Sequence, residues 1–598
     1  STVVATTGNV SVAATDTSAI KSELIAVSFS LGVGATASVS LAISATVAEN
    51  IMTGATLATI DGSTVTATGG EVSVNATNSG AVTSLGVAVA ATVSASGTIA
   101  LGGAGTGAVS RSQLDNTIEG SILDSTVNAG TGVDVDARDQ SALTSTTVAA
   151  SVGVAASAAA AATISVAVTL VEVDYNTDTR ALIDSSDVTT TGGDVTLDAE
   201  STGMENLVGV GVGVSVAGSG AAALAGSGVG VITKVTSDAK TFAVISSDSD
   251  VRALSGGVRV DAIDSRVLDV DAVGVSLSVS GSGGLALSGA VTVIEAETDF
   301  ASTIRARISD SNVVAGGGDV IVEADATTKS FLSAAGVSIA VAGSAGFSGA
   351  VSAAAGVVKN LLAQSVEAEI LDSDTADGQA VTASGAVSVT AEDAVEMTAD
   401  SIAVSVSGAV SFTGSLSLSV AAAIAHNTLA GATLARVSNS RVAANGGAVT
   451  VSAQTNSELV TTPDAFAVAA SISIGSVAAA GAGASGIANV TRDVSARIEN
   501  NSDIDATGNV EVQAIDTLTS DVEVLALSVA GSLIAAAAIG VGIGKNLIET
   551  QVEAAVDDSS VDAGGAITID ADATLTDCLG VMAPSAIQST VDIASLSI

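Results

Sequence analysis

The 598-residue sequence has no tryptophan and only one tyrosine, one cysteine, one histidine and two prolines. With Cys578 as its only thiol, a single chain can build neither a disulfide framework nor a cysteine-based metal site. With His426 as its only imidazole, a Ser/His/Asp or Cys/His constellation could be assembled at most once. His426 sits in AIAHNTLAG and reads as a turn or surface residue, and Cys578 reads as a small core residue. Acidic pairs could in principle act as glycosidase carboxylates, but the aromatic surface on which sugars stack is missing. We therefore expect no enzyme, and assign no catalytic or cofactor-binding residue.

Basic residues are also scarce. Against 62 Asp and Glu there are 18 Lys and Arg, giving a net charge of −44. Such a surface excludes nucleic acid as a partner and favours cations. Pro463 and Pro584 stand far apart, and no Gly/Ser run lacks interleaved valine or alanine, so no linker divides the chain. No basic-then-apolar leader opens the sequence, so any export signal is expected to have been removed or to lie outside it.

What the chain has in abundance is repetition. A G-x-V-x-V-x-A element recurs as GNVSVAA, GEVSVNA, TGVDVDA, GDVTLDA and on to GAITIDA, led by Val10, Val72, Val133, Val195, Val258, Val320, Val387, Val449, Val510 and Ile567. Successive leaders are 62, 61, 62, 63, 62, 67, 62, 61 and 57 residues apart. A fixed period in this range is the mark of a stacked array. A second element, I-x-x-S-x-V, precedes each leader by a few residues, as in IDGSTV at Ile60, IDSSDV at Ile183 and ISDSNV at Ile308. The whole chain, 1–598, reads as one array with approximate repeats 8–69, 70–130, 131–192, 193–255, 256–317, 318–384, 385–446, 447–507, 508–564 and a partial 565–598. Both ends fall in mid-repeat, and the expectation is a portion of a longer array.

V-x-V-x-A alternates with period two, the pattern of a strand with one face inward, and pairs such as Gly192-Gly193 and Asn445-Gly446 supply positive φ or close approach at a corner. The fold class is therefore all-β: a parallel β-solenoid of about 62-residue repeats, in one or two coils per repeat and with room for several layers. Between the motifs run long spans without charge, among them Leu24–Ala48, Asn206–Thr233 and Ser401–Ala435, each expected to hold two strands around a Gly/Ser turn. Because neither face of these strands carries charge, both are expected to be covered by other layers or a neighbouring chain, so that Asp at Val210 or Val212 would be poorly tolerated. Membrane insertion is disfavoured: the spans are rich in Ala, Gly, Ser and Thr, and lack aromatic belts and positive flanks.

Together these elements resemble the giant repetitive surface proteins of bacteria, namely filamentous-haemagglutinin-like adhesins and leukotoxin-like β-strand-repeat proteins. The resemblance covers nearly the whole chain and is one of pattern and composition. It implies export, an extracellular or cell-surface location, a right-handed parallel β-solenoid and a part in attachment or matrix building. It assigns no individual residue.

The residues third after the leader are Asp136, Asp198, Asp261 and Glu323 in four consecutive repeats. In-register stacking would make them a ladder, with Asp139, Glu200, Asp264 and Asp325 beside it, offering the all-oxygen surroundings that calcium prefers. The competing reading is a solvated acidic rim. T-x-T runs of the kind that face ice occur only sporadically, as in TVTAT at Thr64. Function is expected to be structural, as an extracellular filament or adhesin stalk that polymerises with itself end to end or laterally. The alternative is a binding or toxin-like module that engages a host, cell or lipid surface.

Overall fold

The computed structural model describes residues 1–374, 380–582 and 587–593, with side-chain surroundings as far as residue 575. Cys578 lies beyond that limit, so its expected core role falls outside the described residues, as do Pro584 and the end of the partial repeat.

One repeat makes one coil. In the coil that opens at Asp187, a corner strand Asp187–Thr190 is followed by a first long strand, Val195–Ser219, and a second, Ala222–Ser246. Each strand pairs in parallel with its counterparts one repeat away: Val133 lies beside Val195, and Val195 beside Val258. Three parallel sheets result. The corner strands form one of ten, the second long strands another of ten, and the first long strands one of thirteen, because three coils carry theirs in two pieces. No helix occurs among the described residues. At about 3.3 Å per residue a 25-residue strand extends roughly 80 Å, whereas each coil adds only about 4.8 Å along the stack. The molecule is a broad blade.

The recurring serine of I-x-x-S-x-V explains that motif. The amide of Ser125 donates to Ser186 Oγ at 3.0 Å, and that of Ser186 to Ser249 Oγ at 3.2 Å, so a hydroxyl ladder seals the corner where the strands break. The residue before this serine takes the left-handed conformation, with φ of 47° at Asp124, 50° at Ser185 and 47° at Asp310, and a glycine takes it at Gly62. Asp, Asn and Gly tolerate that region best. The Gly-Gly corners do something different. Their φ is not positive; a Cβ on Gly193 would stand 1.6 Å from the carbonyl oxygen of Thr131 in the preceding coil. Of the two roles expected for these glycines, close approach is the one used.

Near the corners the blade is built as the V-x-V-x-A pattern predicts. Val188, Val195, Leu197, Ala199, Ala243 and Ile245 are fully buried between the sheets, part of a core that runs the length of the stack. Farther along the first long strand the polarity reverses. From Leu207 to the tip the residues between the sheets are Gly209, Gly211, Gly213, Ser215 and Ala217, while Val208, Val210, Val212, Val214 and Val216 point outward. Space is the reason. A Cβ on Gly211 would lie 2.5 Å from Val229 Cγ1, and one on Gly274 2.1 Å from Ile294 Cδ1, so the opposing sheet leaves no room for a larger residue. Hydroxyls buried here pair across the gap, as Ser407 with Ser417 at 2.7 Å and Ser38 with Ser94 at 2.7 Å.

Two strands per span and close-packed small residues are as expected, but among the described residues no further layer of the chain lies over the outer faces, which corrects the expectation that other layers of the same chain cover them. Val210 and Val212 are outward and half-buried, so a single Asp there meets solvent rather than a dry core.

Candidate functional site

The four acidic residues third after the leader do stack. Asp136 stands beside Asp198, Asp198 beside Asp261 and Asp261 beside Glu323, on adjacent strands of the first long sheet. Their odd offset from an inward leader places them on the outer face. The same parity sorts their neighbours. Glu200 and Asp325, five after the leader, share that face, whereas Asp139 and Asp264, six after it, point inward and are buried. The latter pair do not belong to the ladder, because a shift of one residue moves a side chain through the sheet.

Within the ladder two regimes differ. Arg259 clamps the lower rungs, donating to Asp261 and, at 2.9 Å, to Glu323. The upper rungs have weaker neutralisation: Arg138 approaches Asp136 only to 3.9 Å and leans at 3.7 Å toward Glu200. Here Asp134, Asp136 and Asp198 bring one carboxylate oxygen each within 4.8 Å of one another. Asp134 was missed in the sequence reading, although D-V-D at 134–136 places it two residues from Asp136 and so on the same face. Asp136 is only 6% exposed, and its Oδ1 is buried without a hydrogen-bond partner. Burial, followed by the charge of Asp134, pushes Asp136 up to about 7. Burial likewise raises Asp198, and takes Asp261 up to about 7 despite Arg259. Three crowded carboxylates, one of them with an oxygen that lacks a partner, form a site that a hard divalent cation could bridge.

No protein-family model, curated protein or solved structure matches this chain.

A second cluster of charge lies inside the blade, where the aliphatic core gives way to the small-residue half. Arg266 is 0% exposed at its side chain, with Nε 2.9 Å from Asp264 Oδ1 and Nη1 3.7 Å from Glu205 Oε1. Its Nη2 donates to Thr177 Oγ1 at 3.0 Å and Ser201 Oγ at 2.8 Å, and its Cζ lies 4.9 Å from the ring centroid of Tyr175. Tyr175 donates to Asp139 Oδ2 at 3.3 Å. Three coils are thereby tied together around one guanidinium. Burial pushes Glu205 up to about 7 and raises Asp264 and Asp139, with Arg266 opposing the shift in each case. The cluster is sealed from solvent and serves the fold.

His426 faces outward in a row that includes Glu297 and Lys359, its ring held below the usual imidazole range by partial burial and by Lys359. It has no nucleophile or carboxylate partner in the hydrogen bonds described. The threonines at Thr64 do not extend either: Thr64 lies beside Thr126, but Thr126 lies beside Asp187.

Proposed function

We propose that this chain is a structural protein of the cell exterior, a segment of a filament or adhesin stalk that propagates by stacking one coil on the next. The observation that carries this reading is the uniform ladder: every coil offers its neighbour the same three parallel strands, and none among the described residues breaks the register. A surface of this kind accepts another copy as readily as its own next repeat, because the backbone groups on each edge are already set at β spacing. In this reading Ca2+ is the one cofactor, held by Asp134, Asp136 and Asp198, and it converts repulsion between stacked carboxylates into a cross-link. Width rather than reach is what 62 residues per coil provide, which suits a ribbon better than a thin tether.

Electron microscopy and fibre diffraction of the purified chain test the proposal. Uniform ribbons with an axial spacing near 4.8 Å are expected. Discrete particles that stay monomeric at high concentration, with terminal strands protected from hydrogen exchange, would overturn it. The second reading, a module that binds a host, cell or lipid surface, draws on the aliphatic outer face and predicts discrete particles that attach to vesicles.

A further inference from the structure

The outer face of the first long sheet, between the acidic ladder and the tip, is an aliphatic surface of unusual extent. Stacking in register carries Val27, Val89, Val212, Val275, Val337 and Val404 into one column of outward side chains. The columns two residues to either side are built the same way, with Val214 beside Leu277 and Leu277 beside Ile339. Among the five columns that run from Val210 to Gly218, Asp464 is the one charged residue. These side chains are half-buried in the middle of the stack, as Val210 and Val212 are, and more open toward the tip and the end coils, with Val216 36%, Val341 41%, Val529 49% and Phe29 67% exposed. Five columns about 6.8 Å apart and nine coils about 4.8 Å apart cover roughly 1,000 Å2. The largest apolar patch on an ordinary monomer is about 300–600 Å2.

We propose that this face is a self-recognition surface, on which a second copy of the chain packs sheet to sheet with its strands running in the opposite direction. The inference rests on the structural reading above and adds the partner and its orientation. Area supports it, because about 800 Å2 per partner suffices for a specific interface. Charge fixes the orientation. The acidic ladder lies on this same face nearer the corners, so two copies with tips pointing the same way would oppose Asp134, Asp136 and Asp198 with their own images. Reversing one copy superposes the aliphatic bands and carries the two acidic halves to opposite ends.

A lipid occupant fits less well. The end strands of a blade sunk in hydrocarbon would leave backbone N–H and C=O groups unsatisfied, at several kcal/mol each. The belt of Trp and Tyr that anchors membrane strands is also missing, the single tyrosine being Tyr175, which is buried.

The test combines sedimentation velocity with disulfide trapping, on a Cys578→Ser background. The parent chain is expected to sediment as a dimer or larger. Val212→Asp with Leu277→Asp should weaken lateral association at least tenfold while Tyr175 emission, the fold control, stays unchanged. If that variant misfolds, Val212→Thr with Leu277→Thr keeps strand propensity and should weaken pairing in the same direction. For orientation, Val210→Cys lies at the ladder side of the aliphatic band and Gly218→Cys at its tip side. Opposed copies bring 210 over 218 and require 210-to-218 disulfides when both substitutions are present, and none from Gly218→Cys alone. Tip-to-tip disulfides from Gly218→Cys alone, a parent whose lateral association is unmoved by the aspartates, or a monomer that floats with phosphatidylcholine vesicles would each overturn the proposal. End-to-end ribbons that persist in the aspartate variant would separate this surface from the stacking reading, since only lateral width would be lost.

Discussion

Replacing Arg266 by methionine removes the one cation from a sealed pocket and leaves Asp264, Glu205 and Asp139 without a counter-charge. The arginine contributes an ion pair at 2.9 Å, two hydrogen bonds to hydroxyls and the ring contact with Tyr175. Breaking a buried pair from one side costs about 3–5 kcal/mol, because the remaining charge stays buried. The sign of the pH dependence follows. These carboxyls are raised above their unfolded values even with Arg266 present, Glu205 to about 7, and its loss raises them further. The folded variant then holds more protons than the unfolded chain, so its stability falls as pH rises, and the defect is larger at pH 8 than at pH 5. Tyr175 is the only tyrosine and is fully buried, so its emission reports this coil directly in a urea titration. Adding Asp264→Asn and Glu205→Gln to Arg266→Met should recover much of the loss. An unchanged urea midpoint at pH 8, or an equal loss at pH 5 and pH 8, would refute the reasoning.

Calcium should raise the melting temperature at pH 8 beyond monovalent salt at matched ionic strength, and Asp134→Asn with Asp136→Asn should abolish that increment; equal effects of the two salts would leave screening alone. Without calcium, Asp136 and Asp261, at about 7 in the fold and near 4 unfolded, should make stability decline from pH 4 to pH 7, and a rise across that window in thermal melts would contradict it. Gly193→Ala should cost about 1–3 kcal/mol or more by overpacking against Thr131, whereas Gly228→Ala, with nothing within 4 Å of the new Cβ, should stay within about 0.5 kcal/mol in urea titrations. Ser186→Ala removes the acceptor of the Ser125 amide, at about 1–3 kcal/mol, and hydrogen exchange at Ser125 should accelerate while remote coils stay protected.

Much of the acidic site was legible because its logic is one-dimensional. A motif that recurs at a nearly constant spacing puts residues at equal offset from its leader into register, so Asp136, Asp198, Asp261 and Glu323 could be stacked from their offset alone. Asp134 was overlooked although period two places it beside Asp136. The clamp by Arg259 was not legible, since a flexible side chain can reach any of several carboxylates and only packing selects Asp261 and Glu323. The Arg266 cluster was hidden for another reason. Its members come from both long strands of successive coils, and nothing in the sequence says that Thr177 and Ser201 face each other across the blade.

The sequence by itself determined the parallel stack, its period, the corners and the separation of charged from uncharged halves, because each follows from local alternation and a regularly recurring motif. Which way the uncharged halves face was decided only by the tertiary structure. Along Val195–Ser219 the aliphatic residues change from odd to even positions, and the sequence allows either a bulge that returns valine to the core or an unbroken strand that turns it outward. The ladder runs unbroken through 25 successive pairs with the next coil. Val229 and Val231 of the opposing strand already fill the space above Gly211 and Gly213, so no valine of the first long strand fits between the sheets there, and its aliphatic side chains lie on the outside.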